Sequence, residues 1–277
     1  MRGNERLIAV PAARRRAVLD LFQSARRRLK IATYRLNDEA ISAALSAAVQ
    51  RGVQVEVLGP RRLHTLERRG VKAYRYGGPA GAYHAKFAVA DGERAAICTF
   101  NLTRRGLDRT CDFLLETTGR DLAGALEGVF DADAQGASPL RFLTLPEPVV
   151  LGPEWARAQI WEWLAGARRS IRLLDPRVSD PGLLRLLSRK QAQGVEVDWL
   201  AGAPRLGLAP HGRLTIVDDE MVIAGSCSLE PRALDSRREL AVCSRDPATV
   251  ETALRFWRRF AGQAQGGGGR APVRWAA

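Results

Sequence analysis

Two stretches of this chain place an imidazole two residues before a cation and seven before an aspartate. They are YHAKFAVAD, with His84, Lys86 and Asp91, and HGRLTIVD, with His211, Arg213 and Asp218. The chain has three histidines, and all but four of its 43 basic residues are arginine, so neither pairing is cheap in residue types. On an extended strand, residues i and i+2 project from one face. His84 with Lys86, and His211 with Arg213, are therefore expected side by side. A cation beside an imidazole suits a phosphoryl group: one holds an oxygen while the other attacks phosphorus or moves a proton. Asp91 and Asp218 stand an odd number of residues from their histidines and are expected at hairpin turns. Carboxylates that could orient the imidazoles come later. Asp112 follows Asn101 by eleven residues and Glu239 follows Ser228 by eleven, each opening an apolar strand that could return beside a histidine strand.

The elements that must carry these residues are written twice. SARRRLKIATYRLNDEAISAALSAAVQRGVQVEVLGP, from Ser24, and GARRSIRLLDPRVSDPGLLRLLSRKQAQGVEVDWLAG, from Gly166, run in the same order. A basic helix end leads to a short apolar strand, an amphipathic helix and a second strand, with Gly52 and Gly194 as matching helix caps. Each copy continues with a histidine strand, a hairpin partner (joined through Asp91-Gly92 or Asp219-Glu220), an acidic strand and a closing helix. The first copy has extra residues before its histidine strand, among them RRLHTLERRG with the third histidine. Such alternation implies an α/β fold of two α/β/α halves with mixed sheets. The expected boundaries are 1–133 for the first half, 134–153 for a linker, 154–262 for the second half, and 263–277, with four consecutive glycines, for a disordered tail.

With 277 residues the chain can bury a substantial core. No apolar run approaches the ~20 residues that span a bilayer, and MRGNERLIAVPAARRR offers no secretory signal, so a cytoplasmic protein is expected. Cys98, Cys111, Cys227 and Cys243 are too widely spaced for a paired metal motif and read as small buried residues, with neither zinc nor disulfide expected. A net charge of +13 favours polyanionic partners, either nucleic acid or acidic phospholipid.

His-x-basic-x4-Asp followed by Cys98-Thr99-Phe100-Asn101, or by Gly225-Ser226-Cys227-Ser228, resembles the signature of the phospholipase D superfamily, His-x-Lys-x4-Asp-x6-Gly-Ser-x-Asn, usually present twice. FNLTRRGLDRTCDF looks like the cardiolipin synthase-like bacterial branch. The resemblance implies two halves packed face to face with both histidines in a shared central cleft. It implies His84 as nucleophile forming a phosphohistidine and His211 as acid/base, with no metal or cofactor. It assigns Lys86, Arg213, Asn101, Thr99, Ser226 and Ser228 to phosphate oxygens, and Asp112 and Glu239 to the support of the imidazoles. This chain departs from the signature at Cys98, Arg213 and Ser228.

The expected activity is thus that of a phosphodiesterase or phosphatidyltransferase on phospholipid head groups. Membrane-peripheral contact is left open, and one chain suffices for a complete site. A metal-independent nuclease acting on DNA or RNA is the alternative, although only 6% aromatic residues give it little to stack bases on. A non-catalytic polyanion-binding protein is the third reading.

Overall fold

The structure is a computed structural model that describes residues 4–61, 63–138, 145–200 and 207–262. The tail expected at 263–277 lies outside the described residues. The first half runs β1 (Glu5–Ile8), α1 (Pro11–Ser24), β2 (Arg28–Ala32), α2 (Glu39–Gln50), β3 (Gln54–Gly59), α3 (His64–Glu67), β4 (Lys72–Arg75), β5 (Ala82–Tyr83), β6 (Phe87–Ala90), β7 (Arg94–Cys98), α4 (Arg104–Asp108), β8 (Thr110–Cys111), β9 (Leu114–Thr117) and α5 (Arg120–Ala134). The second runs β10 (Val149–Gly152), α6 (Ala156–Gly166), β11 (Ser170–Leu174), α7 (Pro181–Ala192), β12 (Glu196–Leu200), β13 (Ala209–Pro210), β14 (Leu214–Val217), β15 (Met221–Gly225), α8 (Pro231–Asp235), β16 (Arg237–Ser244) and α9 (Pro247–Gly262).

Both large sheets are mixed, and their strand orders match: β1-β9-β7-β6-β2-β3-β4 and β10-β16-β15-β14-β11-β12. One core cluster joins the sheets, since it draws Val89, Ile97 and Leu115 from the first, Val222, Leu240 and Val242 from the second, and apolar faces of α5 and α9. Two outer cores pack α1 and α2 on the first sheet and α6 and α7 on the second. The five described tryptophans lie in these cores or against them. All four cysteines are buried.

Val149–Gly152, read from sequence as linker, instead form an edge strand paired antiparallel with β16. Prolines at 146, 148 and 153 and a glycine at 152 hide a four-residue strand among turn formers. Gly52 and Gly194 close α2 and α7 with φ of 82° and 89°, as expected of glycines just past a helix end.

The motif aspartates do sit at the hairpin corners, and they also fasten them. Asp91 and Asp218 adopt left-handed backbone, with φ of 56° and 54°. Each carboxylate accepts three consecutive backbone N–H groups, Arg26–Arg28 for Asp91 and Arg168–Ser170 for Asp218, at 2.6–3.1 Å. Those bonds anchor the start of β2 and of β11 and offset the strain of a non-glycine residue at positive φ. In each half the helices are further tied to one another by a repeated arginine. Arg15 binds Asp38 and Asp108, and Arg157 binds Asp180 and Asp235, each through paired hydrogen bonds. In both halves the first aspartate lies 23 residues on and also caps the following helix, at Ile41 N or Leu183 N.

The halves exchange strands where the histidines lie. β5 leaves the first half to pair parallel with β16, while β13 leaves the second to pair with β8. His84 and Lys86 therefore do not stand within one strand, as the sequence suggested. They occupy the crossing between β5 on one sheet and β6 on the other, and His211 and Arg213 occupy the matching crossing between β13 and β14.

Candidate active site

At each crossing the main chain is held by the opposite half. His84 N donates to Arg238 O at 2.9 Å, and Gly212 N donates to Cys111 O at 2.7 Å. A Cβ at Gly212 would lie 2.4 Å from Cys111 O, so this approach requires glycine. Arg238 and Cys111 each immediately precede an acid, and the consequence is an exchange of partners. His84 Nδ1 lies 3.0 Å from both carboxylate oxygens of Glu239. His211 Nδ1 lies 3.0 and 3.1 Å from those of Asp112. Each acid thus serves the histidine of the other half. A carboxylate at Nδ1 keeps the proton there and leaves Nε2 with the lone pair.

The two centres are sheltered to different degrees. The His84 side chain is 12% exposed and that of His211 is 31%, while both carboxylates are fully buried. Burial, reinforced by the Lys86 ammonium, holds His84 well below the ordinary imidazole range against the pull of Glu239. Burial would raise Glu239, but His84, Lys86 and Arg237 outweigh it and keep the carboxylate ionised. Asp112 is likewise held low despite burial, by His211 and by hydroxyl donors that include Thr99.

Lys86 is 1% exposed, and its Nζ donates to His84 O at 2.7 Å. Burial lowers it to about 7, with Arg213 and Arg237 adding to the effect and Glu239 and Asp112 opposing it. Lys86 thus feels charges from both crossings. Arg213 is similarly enclosed at 5% exposure, with Nη1 at 3.4 Å from His211 O. Its Nε finds no hydrogen-bond partner among the described residues. Its charge acts on Asp175, a buried carboxylate that follows β11 where Thr33 follows β2. The lysine-to-arginine change between the copies thus comes with a carboxylate the first copy lacks.

The hydroxyls divide. Thr99 and Ser226, expected to touch phosphate, are fully buried and already committed. Thr99 Oγ1 donates to Asp112 at 2.6 Å and accepts from Phe113 N at 2.8 Å. Ser226 Oγ donates to Leu240 O at 3.2 Å and accepts from Leu240 N at 3.0 Å. They brace the acid-bearing strands, Thr99 directly through the carboxylate. Asn101 Oδ1 and Ser228 Oγ, by contrast, are buried with no partner among the described residues. Such atoms cost about 1–3 kcal/mol each unless a ligand meets them. Cys98 does not crowd the site: its side chain packs in the outer core of the first half, and burial raises its thiol to about 12.

Sequence reasoning missed two groups. Arg237 donates to Glu239 and to Glu230, and its place two residues before the acid on β16 was a period-two signal. Tyr34, which follows β2, sets its ring edge-on to His84 at 5.1 Å between centroids and lies 6.0 Å from Lys86 Nζ. No spacing announced it.

A family model described as "Cardiolipin synthase, PLD-like domain" matches residues 18–134, which include His84. Cardiolipin synthase A of Pseudomonas aeruginosa is 33% identical over 129 residues, covering 42% of this chain and 26% of that protein. The chain thus spans about a quarter of the length of the curated relatives it matches. The fold is shared with a phosphatidylserine synthase from Haemophilus influenzae, at a TM-score of 0.73 and 13% identity over 94% of this chain and 86% of that one. It is also shared with a polyphosphate kinase from Porphyromonas gingivalis, at 0.71 and 20% over 91% and 47%.

Proposed function

We propose that this chain is a phospholipase D-superfamily enzyme that cleaves or transfers a phospholipid phosphodiester through a phosphohistidine at His84. The observation that carries the reading is the pair of crossed imidazole–carboxylate contacts. His84, neutral and sheltered, attacks phosphorus through Nε2, and Glu239 stabilises the imidazolium that forms as Nδ1 keeps its proton. His211, the more exposed of the two, protonates the leaving oxygen and then takes a proton from water or an incoming alcohol. Lys86 and Arg213 hold the phosphoryl oxygens from either side, and Asn101 and Ser228 supply their unmet polar atoms to the same group, Asn101 by turning its amide. Because each half contributes the acid for the other, one chain completes the site. No helix among the described residues is long and apolar enough to cross a membrane, and access to lipid is proposed to be peripheral.

The test uses a phosphodiester with a good leaving group, such as a p-nitrophenyl ester, in EDTA. Wild-type protein turns it over, His84→Ala forms no adduct, and His211→Ala accumulates an acid-labile phosphohistidine. An adduct that persists in His84→Ala overturns the assignment. The net charge of +13 supports a second reading, the same chemistry on nucleic acid. Chelator-resistant nicking of DNA or RNA with no release of head group from phosphatidylglycerol vesicles would select it.

A further inference from the structure

A cleft of about 740 Å³ opens beside His84, with Tyr34 and Tyr83 in its wall. Its lining among the described residues comes from the first half. Strands β2, β3 and β4 are parallel neighbours, and their C-terminal ends supply lining arginines: Arg35 and Arg61 just past β2 and β3, and Arg75 as the last residue of β4. The crevice beyond the carboxyl ends of parallel strands is where open α/β sheets gather ligands. Arg35, Arg61 and Arg75 are exposed and make no ion pair among the described residues, and no carboxylate lines the cleft. Several arginines packed on the folded body are instead clasped by acids, as Arg15, Arg157 and Arg238 are. Backbone approaches closely here too: a Cβ at Gly59 would lie 2.8 Å from Thr33 O.

We propose that this cleft is a second anion subsite, which seats a phosphate on the leaving group or on the incoming alcohol while His84 attacks a different phosphate. This rests on the phosphotransfer reading of His84 and adds a substrate class to it: compounds with two phosphates, one of them on the small polar group that departs or arrives. Unpaired guanidiniums in a concave wall focus potential and bind phosphate oxygens in a fork. The volume is that of a pocket for a compact group, within the usual ~300–1,000 Å³ of small-molecule sites. A polymer would need a cationic track running on across the second half, whereas all lining residues among the described ones fall between Thr33 and Tyr83. The compact head group is therefore the occupant the cleft favours over nucleic acid.

The test measures binding by calorimetry in the full chain carrying His84→Ala, with sn-glycerol 3-phosphate and glycerol as probes. Glycerol 3-phosphate binds and glycerol does not. Arg61→Ala or Arg75→Ala weakens binding by about tenfold, as expected for losing a charged hydrogen bond. The triple variant with Arg35→Ala abolishes it. Arg189→Ala, an exposed arginine on α7, and Lys86→Ala leave it within about twofold, and melting temperatures report that the exposed substitutions fold. Phosphatidylglycerol vesicles that compete with glycerol 3-phosphate assign the phosphate to lipid, and vesicles that do not compete assign it to a free phosphate ester. Binding lost in Lys86→Ala but kept in the triple variant overturns the proposal, because the probe then sits at the scissile-phosphate site. A single-stranded oligonucleotide displaced equally by Arg189→Ala and by the cleft variants also overturns it, in favour of a diffuse polyanion surface. Cleft binding without any phosphohistidine in the active chain would leave the subsite standing and remove the phosphotransfer reading. An adduct with unchanged KM for phosphate-bearing alcohols in the triple variant would do the reverse.

Discussion

The two histidine crossings are built alike and tuned apart. In both, a two-residue strand pairs with a strand of the opposite half, and the opposite half's acid fixes Nδ1. In the first, His84 is nearly enclosed, and its companion cation is a buried lysine lowered to about 7. In the second, His211 is more open, and an arginine takes the lysine's place with Asp175 as counter-charge. Shelter and a lowered basicity suit a group that must stay neutral to attack. Openness suits one that must exchange protons with leaving group and solvent. One sequence pattern, repeated, thus yields two chemical characters through burial and neighbours.

The sharpest way to break that comparison is to change the acids. Because they cross, Glu239→Gln is expected to behave like a lesion at His84 and suppress adduct formation. Asp112→Asn is expected to behave like one at His211, so the adduct forms and persists. Each should cut steady-state turnover by roughly 10²–10⁴-fold, the usual worth of general acid–base chemistry, and burst kinetics distinguish the two. Opposite assignments would mean that each acid serves its own half.

Stability should separate Gly225 from Cys98, which hold equivalent places on β15 and β7. A Cβ at Gly225 would lie 2.4 Å from Ala241 Cα and from Leu240 O, both backbone. Gly225→Ala is therefore expected to cost about 3 kcal/mol or more by denaturant titration, at the upper end for overpacking. Cys98→Ala, which only removes a buried sulfur from an outer core, is expected to cost about 1 kcal/mol. Equal effects would deny that the two copies pack differently here.

The cations provide a smaller and pH-dependent effect. Lys86 loses its proton as pH rises through about 7 in the free protein, so KM for a phosphodiester should climb about tenfold per pH unit above that point. Lys86→Arg should flatten the climb, at some loss of kcat because the fork does not fit the lysine's place. Arg213→Lys should leave the alkaline limb of the profile unchanged. An unchanged profile in Lys86→Arg would free Lys86 from that role.

Much of this was legible in the sequence, and for physical reasons. The repeat could be found because helices of period 3.6 and short apolar strands leave patterns that survive in both halves. The aspartate corners could be found because a tight hairpin needs a residue that tolerates left-handed backbone. The histidines, cations and acids could be named because few residue types perform phosphoryl chemistry. What could not be read was which acid meets which histidine. That depends on β5 with β16 and on β13 with β8, pairings of two residues each, too short to impose periodicity. The hydroxyls of Thr99 and Ser226 were misassigned for a related reason: a motif position names a residue but not the direction of its side chain. Tyr34 and the arginines of the cleft follow strand ends, where only the folded sheet brings separate segments together.

The crossed acids also bear on how such a chain comes into being. A ribosome that has released only the first half has exposed His84 and Lys86, yet the carboxylate that must steady the imidazole is Glu239, more than 150 residues further along. Until β16 is synthesised and laid beside β5, the nucleophile has no tautomeric control and the second histidine has no cleft to act in. On the proposed mechanism, a translation product cut short between the halves lacks Glu239 and is expected to form no adduct at His84.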